Sequence, residues 1–230
     1  MNVKGIVFDI DGTLANLGGF VDWERTHHQD KGAYVECGCP PELIEELRER
    51  SLFDMINLAR DVNLHSMDDD TVRDVQGRVY AAVEEYEFEG IEHSTLMPGC
   101  VETLAWIRSR GIAIGLATSY SELVAEKVLK SRGIREYFSA IVGRRPGLRM
   151  EPHPNQILKC LKEMGSTLLR VWLSGTASMT SSRRCPQRFG WSPYRRFSLA
   201  GRLSRGIGAD AVIGGLGELP AVIERLGELR

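Results

Sequence analysis

The chain has 230 residues, 43% of them hydrophobic, and a formal net charge of −2 at pH 7. This size is typical of one globular core with a modest second module, and the near-neutral charge gives no reason to expect nucleic acid or a membrane as a partner. No apolar run is long enough to span a bilayer. The five cysteines are an odd number without a secretory signal, which favours reduced thiols in a cytoplasmic protein.

The chain opens with an apolar run from Val3 to Phe8, which predicts a buried strand and leaves no room for a signal peptide. Asp9 and Asp11 follow it, at the strand end where open α/β sheets bind ligands. Paired carboxylates there suit magnesium-assisted phosphoryl transfer, because one can attack phosphorus while the other moves a proton. Two alternatives stay open: an Asp-Gly turn with solvated acids, and a calcium loop, although further oxygen ligands are missing.

The hexapeptide from Asp9 to Leu14, with the sequence DIDGTL, resembles the first motif of the haloacid dehalogenase-like hydrolase superfamily. The resemblance implies that Asp9 is the nucleophile and Asp11 the general acid and base. It also implies that the Asp9 carboxylate and the Asp11 carbonyl bind Mg²⁺. The dehalogenases of this superfamily lack the second acid, so Asp11 favours a phosphatase or a phosphomutase.

Helical patterns occupy residues 16–95. Pro40-Pro41 begins one such pattern, and apolar side chains at helical spacing continue around Met55 and Val75. We therefore predict a helical cap at 16–95 and an α/β core formed by 1–15 and 96–230. In the resembled superfamily such an insert covers the active site, but a plain helical subdomain without a gating role stays open.

A second apolar run, residues 112–117, predicts a buried strand that ends in Thr118-Ser119, before a helix at 121–132. A hydroxyl and backbone amides at a helix start can hold phosphoryl oxygens, although Ser and Thr are also ordinary helix caps. Thr118 matches the hydroxyl of the superfamily's second motif. The resemblance therefore implies that Thr118 and the Ser119 amide bind phosphate.

The peptide from Glu151 to Pro154 resembles the third motif, but the superfamily has a lysine where this chain has Glu151. A third carboxylate beside a phosphate is repulsive where attraction is needed. Such a charge reversal costs several kcal/mol at an effective dielectric constant of about 20. Arg145 or Arg149 could reach in from the preceding loop, and nothing in the sequence shows that either does.

The run 168–173 predicts the next strand, after which the superfamily has a Gly-Asp pair and a second acid. This chain has Gly175-Thr176, and no Asp or Glu occurs from Met164 to Ala209. Codons can be chosen for 171–182 that, read out of frame, encode Val-Val-Gly-Asp-Ser-Val-Asn-Asp-Val-Leu, which holds both missing acids. We hypothesise that two compensating single-base indels shifted the frame over about 171–206, so that this segment packs badly.

These patterns predict a three-layer, doubly wound, parallel α/β core with an inserted helical cap. The order of the motifs resembles the branch of phosphoglycolate phosphatase and β-phosphoglucomutase. That branch implies a monomeric or homodimeric magnesium-dependent phosphatase for a small phosphorylated metabolite, impaired here by Glu151 and the missing acids. The alternative is a catalytically inactive protein that binds a phosphorylated ligand or a partner on the same scaffold.

Overall fold

One parallel sheet organises the protein in a computed structural model that describes residues 3–46, 52–63, 65, 67–151, 153–165, 171–174, 195–199 and 211–228. Its strands are β1 (Gly5–Phe8), β2 (Ala113–Ser121), β3 (Ala140–Arg144), β4 (Val171–Ser174), β5 (Arg195–Leu199) and β6 (Ala211–Ile213). They lie in the order β3-β2-β1-β4-β5-β6, and every pairing is parallel. This order confirms the predicted doubly wound α/β class, and the chain reverses its winding direction beside β1.

The central strand β1 is buried on both faces. Ile6 and Phe8 pack into the larger apolar cluster on one face, whereas Val7 packs on the other face with Ala117 and Cys160. Alternate residues of a strand point to opposite faces, so an apolar strand such as β1 needs helices on both sides of the sheet. The apolar run that predicted this strand is therefore a consequence of the three-layer architecture.

The helices of the described residues form two groups. The first group follows β1 in the sequence and ends at Ile91. It consists of the 3₁₀ helix Leu17–Phe20, α1 (Trp23–Glu36), α2 (Pro41–Glu46), α3 (Leu52–Asn63) and α4 (Asp69–Ile91). We call residues Leu17–Ile91 the helical insert. The second group flanks the sheet and consists of α5 (Cys100–Ser109), α6 (Glu122–Ser131), α7 (Asn155–Glu163) and α8 (Leu219–Glu228), with 3₁₀ helices Arg135–Tyr137 and Leu216–Glu218.

The helical insert has an apolar cluster of its own. Tyr34, Met55, Ile56 and Val79, from α1, α3 and α4, are completely buried in it. Met150, which follows β3, is buried in the same cluster. The insert is therefore a folded unit that also packs against one loop of the sheet.

The strand β2 continues further than the sequence predicted. Its pairing with β3 shifts register between Ala117 and Ser121, and α6 begins only at Glu122. The Ser121 hydroxyl caps this helix by accepting a hydrogen bond from the Val124 amide at 3.1 Å. Thr118 and Ser119 thus belong to an irregular strand end.

The structure describes only part of residues 164–209, which contain no Asp or Glu and which we call the acid-free stretch. β5 lies within it and pairs with β4 and β6, although its sequence predicted no element. Residues 175–194 and 200–210, which include the expected position of the Gly-Asp pair and the second acid, lie outside the described residues. Among the described helices, none combines the length and the apolar character that crossing a membrane requires.

Candidate active site

The loop after β1 is a tight turn around one carbonyl group. The Ile10 oxygen accepts hydrogen bonds from the amides of Thr13, Leu14 and Ala15 at 2.8–3.1 Å. Gly12 has a φ of +66°, which glycine adopts without strain. The chain therefore turns sharply at the strand end, and two acids that are two residues apart can act on one site.

Asp9 lies at the bottom of this site. Its carboxylate accepts a hydrogen bond from the Ile10 amide at 2.7 Å and another from the Thr118 hydroxyl. Burial raises the pKa of Asp9 to about 7, the two hydrogen bonds oppose this rise, and the charge of Asp11 adds to it. The structure thus brings together Asp9, Asp11 and Thr118, which come from two neighbouring strands.

Asp11 is directed towards the start of the helical insert. Its Oδ1 accepts a hydrogen bond from the Gly18 amide at 2.7 Å, and a Cβ on Gly18 would lie only 2.4 Å from Oδ2. Burial raises the pKa of Asp11, which suits a group that holds a proton for transfer. Sequence reasoning missed Gly18, and the Gly18-Gly19 pair near the first motif was the available signal.

Thr118–Ser121, which we call the second-motif loop, is held through its backbone. The Thr118 carbonyl accepts a hydrogen bond from Gln156 Nε2 at 2.7 Å, and the Ser119 carbonyl accepts one from Arg144 Nη1 at 2.8 Å. The Ser121 amide donates to Glu87 Oε2 at 3.3 Å. The role of the Ser119 amide in phosphate binding stays a prediction.

Aromatic side chains lie between the insert and the sheet. The Trp23 ring lies 5.7 Å from the Phe53 ring and 6.1 Å from the Tyr120 ring, and its indole donates to the Gly18 carbonyl at 2.8 Å. Burial raises the pKa of Tyr120 well above its usual value, and the charges of Asp11, Glu87 and Asp9 add to this effect. Trp23 and Tyr120 therefore lie close to the two acids, and sequence reasoning missed both.

We call residues 149–154 the third-motif loop, and its described residues contact the helical insert. The Glu151 carbonyl accepts a hydrogen bond from Asn57 Nδ2 at 3.1 Å, and the Met150 amide donates to Asn57 Oδ1 at 3.4 Å. Arg149 pairs with Asp61 and is hydrogen-bonded to His153 at 2.8 Å. The loop is thus held by α3, because Asn57 and Asp61 both belong to that helix.

The two arginines that could have replaced the missing lysine are paired elsewhere. Arg145 pairs with Glu122 at 2.6 Å, and Arg149 pairs with Asp61. The charge of a bound phosphoryl group would therefore be poorly compensated by these side chains.

The donor set for a cation is small. The Asp9 carboxylate and the Asp11 carbonyl are hard oxygen ligands of the kind that Mg²⁺ prefers. Within the described ranges, no group of three or more His, Cys, Asp and Glu side chains could hold a metal ion. The further acids that the superfamily uses are absent from the sequence between Met164 and Ala209.

Comparison with known proteins gives concordant results. A family model described as haloacid dehalogenase-like hydrolase matches residues 3–173. The chain is 26% identical over 181 residues to phosphoglycolate phosphatase from Salmonella typhi, which covers 72% of this chain and 71% of that protein.

Solved structures share the fold. A putative phosphoglycolate phosphatase from Lactobacillus plantarum superposes with a TM-score of 0.58 and 13% identity, over 96% of this chain and 100% of its own. A predicted phosphatase from Clostridium acetobutylicum superposes with a TM-score of 0.57 and 14% identity, over 100% of both chains.

Proposed function

The chain belongs to the haloacid dehalogenase-like hydrolase family, and from this premise we propose that it is a phosphatase for a small phosphorylated metabolite. The curated relatives are phosphoglycolate phosphatases, which favours a small anionic substrate. The observation that carries the proposal is the parallel pairing of β1 and β2 at Phe8 and Leu116, which places Asp9 beside Thr118, with Asp11 close enough to affect the pKa of Asp9. A nucleophile, a proton donor and a phosphate ligand are thereby joined in one site.

The proposed reaction has two steps. Asp9 attacks phosphorus and forms an acyl phosphate, while the bond to the leaving oxygen breaks and Asp11 donates a proton to that oxygen. Asp11 then accepts a proton from water, which attacks the acyl phosphate and releases Asp9 and inorganic phosphate. The Thr118 hydroxyl and the Ser119 amide hold phosphoryl oxygens throughout.

We propose that the Asp9 carboxylate and the Asp11 carbonyl hold Mg²⁺. The residues fit, since Mg²⁺ is often bound by one or two carboxylates together with substrate phosphate and water. When bound, the ion supplies positive charge that offsets the repulsion between the carboxylates and the substrate. The acid-free stretch removes the remaining expected ligands, which supports a weakened site and slow turnover.

The helical insert is proposed to act as a cap, with a boundary near residues 16 and 95. Support comes from Gly18, which binds Asp11 from the insert side, and from Trp23, whose ring lies 5.7 Å from the Phe53 ring of the insert and 6.1 Å from the Tyr120 ring of β2. These aromatic side chains are placed to exclude water and to contact the leaving group of a substrate. The cap would thus decide which phosphorylated metabolite enters.

A second candidate function is phosphate-ligand or partner binding without turnover. It is favoured by Glu151 at the position of the expected lysine and by the pairing of Arg145 and Arg149 with acids elsewhere. Such a protein would keep the Thr118 contact but would not stabilise the transition state.

One experiment separates these functions. Hydrolysis of a generic aryl phosphate is measured with Mg²⁺ and with EDTA, and binding of inorganic phosphate is measured by calorimetry. Slow hydrolysis that needs Mg²⁺ and is lost in Asp9→Asn supports the phosphatase. Phosphate binding without hydrolysis supports the phosphate-binding protein, and the lack of both contradicts the phosphatase and the phosphate-binding protein.

A further inference from the structure

Arg144 is a core residue whose charge is buried against the helical insert. It ends β3, and its guanidinium forms a bidentate ion pair with Glu87 of α4 at 2.6 and 3.0 Å. Both side chains are 0% exposed. The guanidinium also lies 5.2 Å from the Tyr80 ring and 5.9 Å from the Phe53 ring. The pair is therefore enclosed between the core and the insert.

A contribution to the stability of the fold does not by itself explain a buried ion pair. Removing two charges from water is costly, and replacing a buried ion pair with apolar side chains of similar volume is often neutral or stabilising. A buried pair that specifies a particular arrangement has a better-supported role. The contacts of Arg144 and Glu87 indicate which arrangement they specify here.

Both members of the pair bind the second-motif loop. Arg144 Nη1 donates to the Ser119 carbonyl at 2.8 Å, and Glu87 Oε2 accepts from the Ser121 amide at 3.3 Å. The two bonds lie on either side of Tyr120. A third contact comes from the Ser121 hydroxyl, which donates to Glu84 of the same helix α4. The loop that carries Thr118 is thus tied to the insert through charged groups.

We propose that Arg144 and Glu87 are positioning residues that set the phosphate-binding geometry of the second-motif loop. The inference rests on the proposed function, since it assumes that Thr118 and Ser119 bind phosphate. Arg144 comes from the core and Glu87 from the insert. The loop is therefore fully held only while α4 is seated against β3, and seating of the insert prepares the phosphate ligands.

The chain offers a matched control. Arg145, the next residue, also pairs with a glutamate, Glu122, at 2.6 Å. That pair is partly exposed, at 35% and 46%, and in the described residues it binds neither the Ser119 carbonyl nor the Ser121 amide. A change at this pair alters charge and packing nearby without removing support from the loop.

The test replaces each pair with apolar side chains. One double variant carries Glu87→Leu and Arg144→Met, and the control carries Glu122→Leu and Arg145→Met. Binding of inorganic phosphate in the presence of Mg²⁺ is measured by calorimetry, and amide hydrogen exchange is measured for the second-motif loop and for β1. We expect the first variant to keep its fold, to lose about tenfold in phosphate affinity, and to exchange faster in the loop alone. The control should stay within about twofold of the parent.

A conservative variant covers the case in which the double variant does not fold. Arg144→Lys keeps the charge and a donor for the Ser119 carbonyl but loses the bidentate pair. It should bind phosphate more weakly than the parent and more tightly than the apolar pair, with an intermediate loop exchange rate. A purely structural role instead predicts that phosphate affinity is unchanged wherever the protein stays folded.

The outcomes separate this inference from the proposed function. Unchanged phosphate affinity and unchanged loop exchange in the folded variants would overturn the positioning role. If the parent protein binds no phosphate, the proposed function fails, and hydrogen exchange alone then decides whether Arg144 and Glu87 hold the loop.

Discussion

At the edge of the sheet where the candidate site lies, the ends of β1 and β2 form one part, and the ends of β3 and β4 form a second part. The two parts differ in what they would offer a phosphoryl group. At the ends of β1 and β2, the parallel pairing of the two strands places Asp9 and Asp11 close to Thr118, and the amides of Ile10 and Gly18 donate to the two carboxylates. After β3, Glu151 stands where a lysine is expected, and its carbonyl is bound by Asn57 of the insert. After β4, the sequence continues through Gly175-Thr176 without an acid.

The difference separates two parts of phosphoryl transfer. In the proposed mechanism, the first part would supply the groups that attack phosphorus, move protons and bind phosphoryl oxygens. The second part would neutralise the charge of the substrate and complete the metal site, and its expected lysine and acids are the residues that this sequence lacks. Since electrostatic stabilisation is usually the largest contribution to catalysis, a protein with only the first part should be a slow enzyme.

The largest expected effect is at Asp9, the proposed nucleophile. Asp9→Asn should lower any phosphatase activity by at least about a thousandfold, because an amide cannot form the acyl phosphate. Hydrolysis of an aryl phosphate and circular dichroism are the measurements. Asp22→Asn is the control, since Asp22 caps α1 by accepting from the Arg25 amide and should leave the rate within about twofold. Activity that survives in Asp9→Asn would remove Asp9 from the nucleophile role.

The next effect concerns the acids missing after β4. Replacing residues 173–182 with Val-Val-Gly-Asp-Ser-Val-Asn-Asp-Val-Leu should raise magnesium-dependent hydrolysis by about a hundredfold, because charge compensation by a metal is worth several kcal/mol. The control replacement has Asn in place of both Asp residues. A second readout is the gene itself, since nucleotides that do not encode two aspartates in the alternative frame would contradict the frame-shift hypothesis.

The fold could be predicted from the sequence because its signals are local. The run from Val3 to Phe8 must be a strand covered on both faces, and such a strand implies a parallel sheet with helices on each side. The positions of Asp9, Asp11 and Thr118 followed from the rule that ligands meet at the carboxyl ends of parallel strands. β5 was missed because strand pairing is a property of the backbone, and the apolar pattern that usually indicates it is absent there.

The rest of the site depends on contacts that are distant in the sequence. Arg144 and Glu87 are separated by 57 positions, and the sequence pattern gave no reason to join them. Arg145 and Arg149 were the candidates for a replacement cation, and the structure pairs both with acids elsewhere. Arg144 and Arg145 are neighbours with different partners. Arg144 ends β3 and pairs with Glu87 of the insert, whereas Arg145 pairs with Glu122 of α6.

A smaller effect is expected at position 151. Glu151→Lys should raise the affinity for phosphate or vanadate by about tenfold, since it places a cation near the transferring group. Calorimetry with each oxyanion is the measurement, and Glu151→Gln is the control that removes the carboxylate without adding a cation. Turnover should stay low because the acids after β4 are still missing. If Lys and Gln give the same affinity as the parent, the side chain at 151 does not face the site.

The smallest effect is expected at the exposed joint between the third-motif loop and the insert. Asp61→Asn removes the ion pair with Arg149, in which the two side chains are 31% and 36% exposed, and also the pair with the neighbouring Arg60, and it should cost at most about 1 kcal/mol in the free energy of unfolding. The hydrogen bond between Arg149 and His153 keeps the arginine in place, so phosphate affinity should change by less than about twofold. Urea unfolding and calorimetry are the measurements. Asp70→Asn is the control, because its partner Arg73 lies on the same helix α4.

A loss of more than about 2 kcal/mol in Asp61→Asn would show that this contact between the loop and the insert, like the buried pair of Arg144 and Glu87, depends on charge that solvent does not screen. A marked rise in phosphate affinity would instead show that Arg149, once released, supplies the cation that the third motif lacks.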